Sequence, residues 1–227
     1  MHGVNTIHLV GWPGAGKAEL AAELASLGFQ AEAGHALAWT DTSQPVWVLV
    51  DARSRIEDLV ALQKLLAAGD LVVLMFWQQV ALDEQAWWLK QCRQMAKPYL
   101  LKTQPLTEAQ VVALLQTPKT AQNPFWPSLT VLQLDAPYTV ILEHAMFVLD
   151  SARRMLNGKL WRVRWVCQTL EYVNPVVIDM TPTRFETLAA LPNEKPGAVR
   201  VVGEGIDDLV IQNQLNEWLL ACRAPGA

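Results

Sequence analysis

Residues Gly11 to Ala18 read Gly-Trp-Pro-Gly-Ala-Gly-Lys-Ala, a phosphate-binding loop without its final hydroxyl. The pattern Gly-x-x-x-x-Gly-Lys-Ser/Thr is met at Gly11, Gly16 and Lys17 and broken at Ala18. Its flanks constrain the fold. Thr6 to Val10 is a short apolar strand, and Glu19 to Ala25, with Leu20 and Leu24 one turn apart, favours helix. A strand, a glycine turn and a helix start aim backbone N–H groups and the positive helix end at one point. The candidate nucleotide site is therefore Gly11, Trp12, Pro13, Gly14, Ala15, Gly16, Lys17 and Ala18, with Lys17 adding a full charge. GTP or ATP is the expected ligand; a purely structural glycine turn is the alternative. The hydroxyl lost at Ala18 is the usual protein ligand for Mg²⁺, which neutralises charge in phosphoryl transfer. Magnesium is therefore expected to be weakly held.

After the loop the pattern alternates. Val46 to Asp51 is an apolar strand, Ile56 to Ala67 an amphipathic helix stopped by Gly69, and Asp70 to Phe76 a continuous apolar strand. Asp83 is placed to cap a helix running to about Met95, and Pro98 to Leu101 forms another strand. Thr107 and Gln110 have capping-box spacing ahead of a helix over Glu108 to Leu115. Such alternation predicts an α/β domain, residues 1–120, with a parallel sheet covered on both faces. Ligands of such sheets sit at the carboxyl ends of the strands, where the glycine loop falls. Asp51 ends one of these strands. A carboxylate there either holds a magnesium-bound water, the Walker B role, or caps a helix starting near Ser54. Asp41, in a polar loop, is a weaker candidate.

Prolines and polar residues at Lys119 to Ser128 mark a boundary. Beyond it, residues 128–227 suit a small α+β domain. Strands are expected over Leu129 to Leu134, Leu160 to Gln168, Asn174 to Asp179 and Ala198 to Val202, and helices over Thr139 to Leu156 and Asp207 to Cys222. Trp161-Arg162-Val163-Arg164-Trp165 invites comparison with a base-stacking strand. Period two instead places Trp161, Val163 and Trp165 on a core face and both arginines on a solvated one.

The net charge of −4 also argues against a nucleic-acid partner. No apolar run approaches the roughly 20 residues needed to cross a bilayer. Met1 to Asn5 carries no basic stretch followed by an apolar one, so a cytoplasmic protein is expected. Cys92, Cys167 and Cys222 are scattered and read as free buried thiols. The histidines are dispersed too: His8 reads as packed in the first strand, and His35, in a loop, has nothing nearby to complete a metal set. Among ten tryptophans, Trp77 and the Trp87–Trp88 pair are candidates for an exposed surface that docks a client protein.

The order of parts resembles the CobW family of P-loop GTPases, implicated as metallochaperones or metal-cofactor insertion factors. The resemblance rests on Gly11 to Lys17, on Val48-Leu49-Val50-Asp51-Ala52 and on Leu71-Val72-Val73-Leu74. Leu132 to Pro137, Asn157 to Trp161 and Val201 to Ile206 resemble that family's C-terminal domain. It implies that the Val-Asp-Ala strand ending at Asp51 is not the Walker B strand. The departures bear on function. The family's Cys-x-Cys-Cys metal motif has no counterpart, because residues 18–45 contain no cysteine. Its guanine-reading Asn/Thr-Lys-x-Asp segment is replaced by Met75-Phe76-Trp77-Gln78, and Ala18 replaces the hydroxyl. The resemblance implies a shortened, degenerate member: a nucleotide-binding accessory factor with weak or absent GTPase activity. The alternatives are an interaction module that has lost its nucleotide and a small-molecule kinase.

Overall fold

The computed structural model describes residues 6–34, 44–121 and 129–225. His35, Asp41, the chain start at residues 1–5 and part of the expected linker, residues 122–128, lie outside them. The chain divides into two compact units, Met1–Trp126 and Pro127–Ala227.

In the first unit the elements run β1 (Ile7–Val10), α1 (Lys17–Ser26), β2 (Ala31–Ala33), β3 (Val46–Asp51), α2 (Leu59–Ala67), β4 (Leu71–Met75), α3 (Leu82–Gln94), β5 (Tyr99–Leu101) and α4 (Glu108–Leu115). The strands form one parallel sheet in the order β2-β1-β3-β4-β5. Alternation along each strand feeds two separate cores. Trp47, Leu49, Leu71, Val73 and Met75 pack with Leu20 and Leu24 of α1 and Val111 of α4. Val46, Val48, Val50, Val72 and Leu74 pack on the opposite face with Leu62, Leu65 and Leu66 of α2 and Trp88 and Cys92 of α3. Strands buried on both faces read as unbroken apolar runs, which is why β3 and β4 were visible in the sequence.

The fold is thus α/β, with a parallel sheet carrying the glycine loop, followed by a separate α+β unit. Several boundaries differ from expectation. Helix α2 begins at Leu59 because Asp58 caps it, accepting from the Ala61 N–H at 2.9 Å. Asp51 is therefore not its cap. Asp83 does not cap α3 but lies in its first turn, where it and Glu84 pair with Arg55. The Thr107–Gln110 capping box is present as expected.

The second unit holds β6 (Thr130–Asp135), β7 (Thr139–Val140), α5 (Leu142–Met155), β8 (Lys159–Thr169), β9 (Val176–Met180), β10 (Phe185–Ala189), β11 (Ala198–Glu204) and α6 (Leu209–Ala221). Its main sheet runs β10-β9-β8-β11-β6, antiparallel throughout, with α5 and α6 packed on one face. Thr139 and Val140, expected in the helix, instead pair with the end of β8, as β-branched residues favour. Trp161 is buried as expected, 5% exposed, but stands outside the packed cluster of Val163 and Trp165. The register shifts at Val202/Gly203, so Gly203 faces Leu160 and Trp161 is skipped. Through this bulge Leu160 joins that cluster. Arg162 and Arg164 share Asp179.

The three thiols are buried, and burial pushes Cys92 and Cys222 up to about 11 and, with help from Cys222 and Glu171, Cys167 up to about 12. Such thiols are structural rather than reactive. Trp77 and Trp88 are 7% and 0% exposed, and the Trp88 indole donates to the Ala52 carbonyl at 2.9 Å. Trp87 stands edge-on to Trp88. They build the core, so the expected aromatic docking surface is not exposed at Trp77 or Trp88. Among the described residues no helix is long and apolar enough to cross a membrane.

Candidate functional site

The chain leaves β1 for β2 at one edge of the sheet, then returns past β1 to β3, β4 and β5. The direction of winding reverses between β1 and β3. At such a reversal the connections diverge to opposite faces and leave a crevice at the strands' carboxyl ends. The glycine loop, following Val10, and Asp51, ending β3, both open at this point.

Steric necessity shapes the loop. Gly11 has φ 154°, and a Cβ there would lie 2.2 Å from the Leu49 carbonyl oxygen. The chain therefore passes tightly against the β3 backbone, beside the Val10–Val48 pair, a path open only to glycine. Gly14 and Gly16 follow in the left-handed region, at φ 91° and 79°. Gly16 is the N-cap of α1 and brings no side chain to cap it. The helix's first-turn N–H groups have no intrahelical partners, so the loop suits an external anion.

Lys17, 7% exposed, opens α1. Its ammonium donates to the carbonyls of Gly11 at 2.5 Å and Trp12 at 3.0 Å. The lysine thus ties the two ends of the loop together and holds its charge at the loop's neck. Pro13 and Ala15 are buried beneath, Trp12 and Gly14 are half-buried, and Ala18 is exposed.

Three side chains crowd Gly16. Its missing Cβ would meet the Met75 methyl at 2.7 Å, a Glu19 carboxylate oxygen at 2.9 Å and the tip of the Phe76 ring at 3.3 Å. Phe76 follows β4 directly and lies in the left-handed region, φ 59°, an uncommon and strained setting for a bulky residue. The Arg53 guanidinium lies 3.9 Å over the Phe76 ring. Arg53 also grips Asp51, with Nε to Oδ1 and a terminal nitrogen to Oδ2 both at 2.8 Å, and donates to the Gln79 side chain at 3.2 Å. Only the carboxylate of this set had a sequence signal; nothing in the chain's spacing identified Arg53.

The site fits phosphate better than a protein-held magnesium ion. Ala18 has no side-chain oxygen, and both Asp51 oxygens are engaged by Arg53. Among the described residues no group of three or more His, Cys, Asp or Glu could hold a metal. Gln78 donates to the Thr103 carbonyl at 2.5 Å, which leaves its amide nitrogen engaged within the protein. Glu19 places negative charge where an anion would sit, and at about 4 Å in water two unit charges interact by ~1 kcal/mol. Glu19→Gln is therefore expected to tighten phosphate binding about fivefold, measured by calorimetric titration; a weaker-binding variant would show that the carboxylate supports the loop.

Neither a family model nor a curated protein sequence matches this chain. Among the solved structures it is similar to are two of YjiA GTPase. One is Zn(II)-bound YjiA GTPase from E. coli, 12% identical over 99% of this chain and 100% of that one, with a TM-score of 0.35. The other is a Zn(II)-bound triple mutant of YjiA GTPase, 14% identical over 79% of this chain, with a TM-score of 0.33. In that second comparison the match spans 61% of the mutant's length. These values transfer no role to any residue here.

Proposed function

We propose that this chain is a nucleotide-binding protein with a degenerate, CobW-like phosphate-loop domain. It binds GTP or ATP at Gly11 to Ala18 and hydrolyses it slowly or not at all. It serves as an accessory factor in metal homeostasis or metal-cofactor insertion. The observation that carries the nucleotide reading is the loop itself. Gly11 approaches the β3 backbone where no Cβ fits, and Lys17 bridges the loop's neck. Any Mg²⁺ would have to come with the nucleotide, because Ala18 offers no oxygen and Asp51 already has both oxygens on Arg53. The metal-related role rests on the family resemblance. The burial of Trp77 and Trp88 removes the main support for a pure interaction module.

Turnover tests this reading. Steady-state phosphate release from the wild type is expected far below the ~1–100 s⁻¹ of kinases. Ala18→Thr restores a hydroxyl and should make nucleotide affinity depend on Mg²⁺ without restoring fast hydrolysis. Because Gln78 carries no charge to accept from a guanine edge, GTP and ATP should compete within about a hundredfold, since a charge-assisted bond is worth ~1.5–3 kcal/mol. Robust release that disappears in Lys17→Ala would show a competent enzyme and contradict the degenerate reading.

A further inference from the structure

We infer that Arg53 is a second phosphate-binding cation, held in reserve by Asp51, and that it stands in for the metal this loop cannot hold. The inference rests on the phosphate-loop reading above. Three observations carry it. Arg53 stacks on Phe76, whose ring tip touches the space over Gly16, so the guanidinium lies one aromatic ring away from the loop's last glycine. Asp51, which clasps Arg53 through both oxygens, ends the strand whose backbone Gly11 packs against. The Arg53 and Asp51 side chains are 16% and 17% exposed, so the pair is neither sealed in the core nor loose on the surface.

A guanidinium presents a planar fork that matches phosphate as well as carboxylate. An entering polyphosphate therefore competes with Asp51 for the same donors. The Phe76 face keeps the guanidinium plane oriented while it changes partner, and the left-handed turn at Phe76 sets that ring between loop and arginine. The inferred ligand class is a nucleotide or inorganic polyphosphate bound without a protein-held metal. Lys17 grips it from the loop and Arg53 from the end of β3, while Asp51 weakens binding by holding Arg53 back. Phosphate affinity then has opposite responses to the loss of each half of the pair. An ion pair that merely supports the fold does not behave this way.

The test uses the full chain and inorganic tripolyphosphate, titrated calorimetrically in EDTA, so that neither base nor magnesium contributes. Arg53→Ala is expected to weaken binding about tenfold or more, and Arg53→Lys to recover part of that loss. Asp51→Asn, which loosens the clasp, is expected to tighten binding. Added Mg²⁺ should not tighten the wild type. Thermal melts of each variant confirm that the titrated protein is folded, and Arg53→Lys keeps the charge should Arg53→Ala not fold. Equal changes of the same sign in Arg53→Ala and Asp51→Asn would overturn the inference, as would tighter wild-type binding with Mg²⁺. Loss in Lys17→Ala with no change in the Arg53 variants would overturn the arginine's role alone. No binding by the wild type would overturn the phosphate-loop reading and this inference together.

Discussion

Gly11→Ala is expected to abolish phosphate binding and to destabilise the first unit by about 2–6 kcal/mol, combining ~1–3 for overpacking with ~1–3 for an unfavourable backbone conformation. The added Cβ would lie 2.2 Å from the Leu49 carbonyl oxygen. Leu49 cannot yield cheaply, because it lies in the middle of β3, paired with Val73 of β4 and 0% exposed. The loop must therefore lift, and the N–H groups it gathers disperse. Gly28→Ala is the comparison. Gly28 also has a positive φ, 85°, but nothing lies within 4 Å of its missing Cβ. It should show backbone strain alone, about 1 kcal/mol, and leave binding intact. Urea unfolding and titration of both variants check this; equal losses in the two would contradict the close approach at Leu49.

Asp70→Ala is expected to cost about 3–5 kcal/mol in stability while leaving phosphate affinity of the folded protein unchanged. Asp70 is 3% exposed at the amino ends of β3 and β4, the end of the sheet opposite the loop. One carboxylate oxygen accepts from the Val46 N–H at 2.9 Å, and the other from the N–H groups of Thr120 and Ala121 at 2.5 and 2.8 Å. Beside it, the Lys97 ammonium donates to the carbonyls of Gly69 at 2.7 Å and Thr120 at 3.1 Å. Burial lowers the pKa of Lys97, and the Asp70 charge opposes that shift. Removing Asp70 strands three donors and withdraws the ammonium's counter-charge. Urea midpoints and titrations on the same preparation separate the two effects. A fall in phosphate affinity with stability intact would place Asp70 in the site instead.

The loop was legible because its sequence is dictated by backbone geometry. Gly11 and Gly16 occur where a Cβ would collide, and Lys17 spans the turn they make. Strands β3 and β4 were legible because burial on both faces demands unbroken apolar runs. By contrast, β2 is only Ala31-Glu32-Ala33, with no apolar pattern, and exists through its pairing with β1. Strand β10 is likewise formed by its partner β9, across a turn in which Thr181 bonds Arg184. Trp161 was legible as buried, but not as standing outside the Val163 and Trp165 cluster, because a bulge breaks period two there and bulges leave no local composition cue. The tryptophans misled for a related reason: a Trp-rich helix reads as exposed until the indole finds its partner, here the Ala52 carbonyl. Within the site, Arg53, Phe76 and Glu19 come from three separate parts of the chain. Only the fold brings them to Gly16 and Asp51, so no spacing along the chain could mark them.

The central claim is that Gly11 to Ala18 still grips phosphate, and calorimetric titration of wild type and Lys17→Ala with GTP at low ionic strength tests it most directly. Lys17 supplies the loop's full positive charge and fastens the carbonyls of Gly11 and Trp12. Wild type is expected to bind, and Lys17→Ala to lose about tenfold to a hundredfold in affinity or all detectable binding, the range for a charge-assisted bond. Equal affinity in the two proteins, both folded by thermal melt, would contradict the account and leave the loop as a glycine turn that only shapes the sheet.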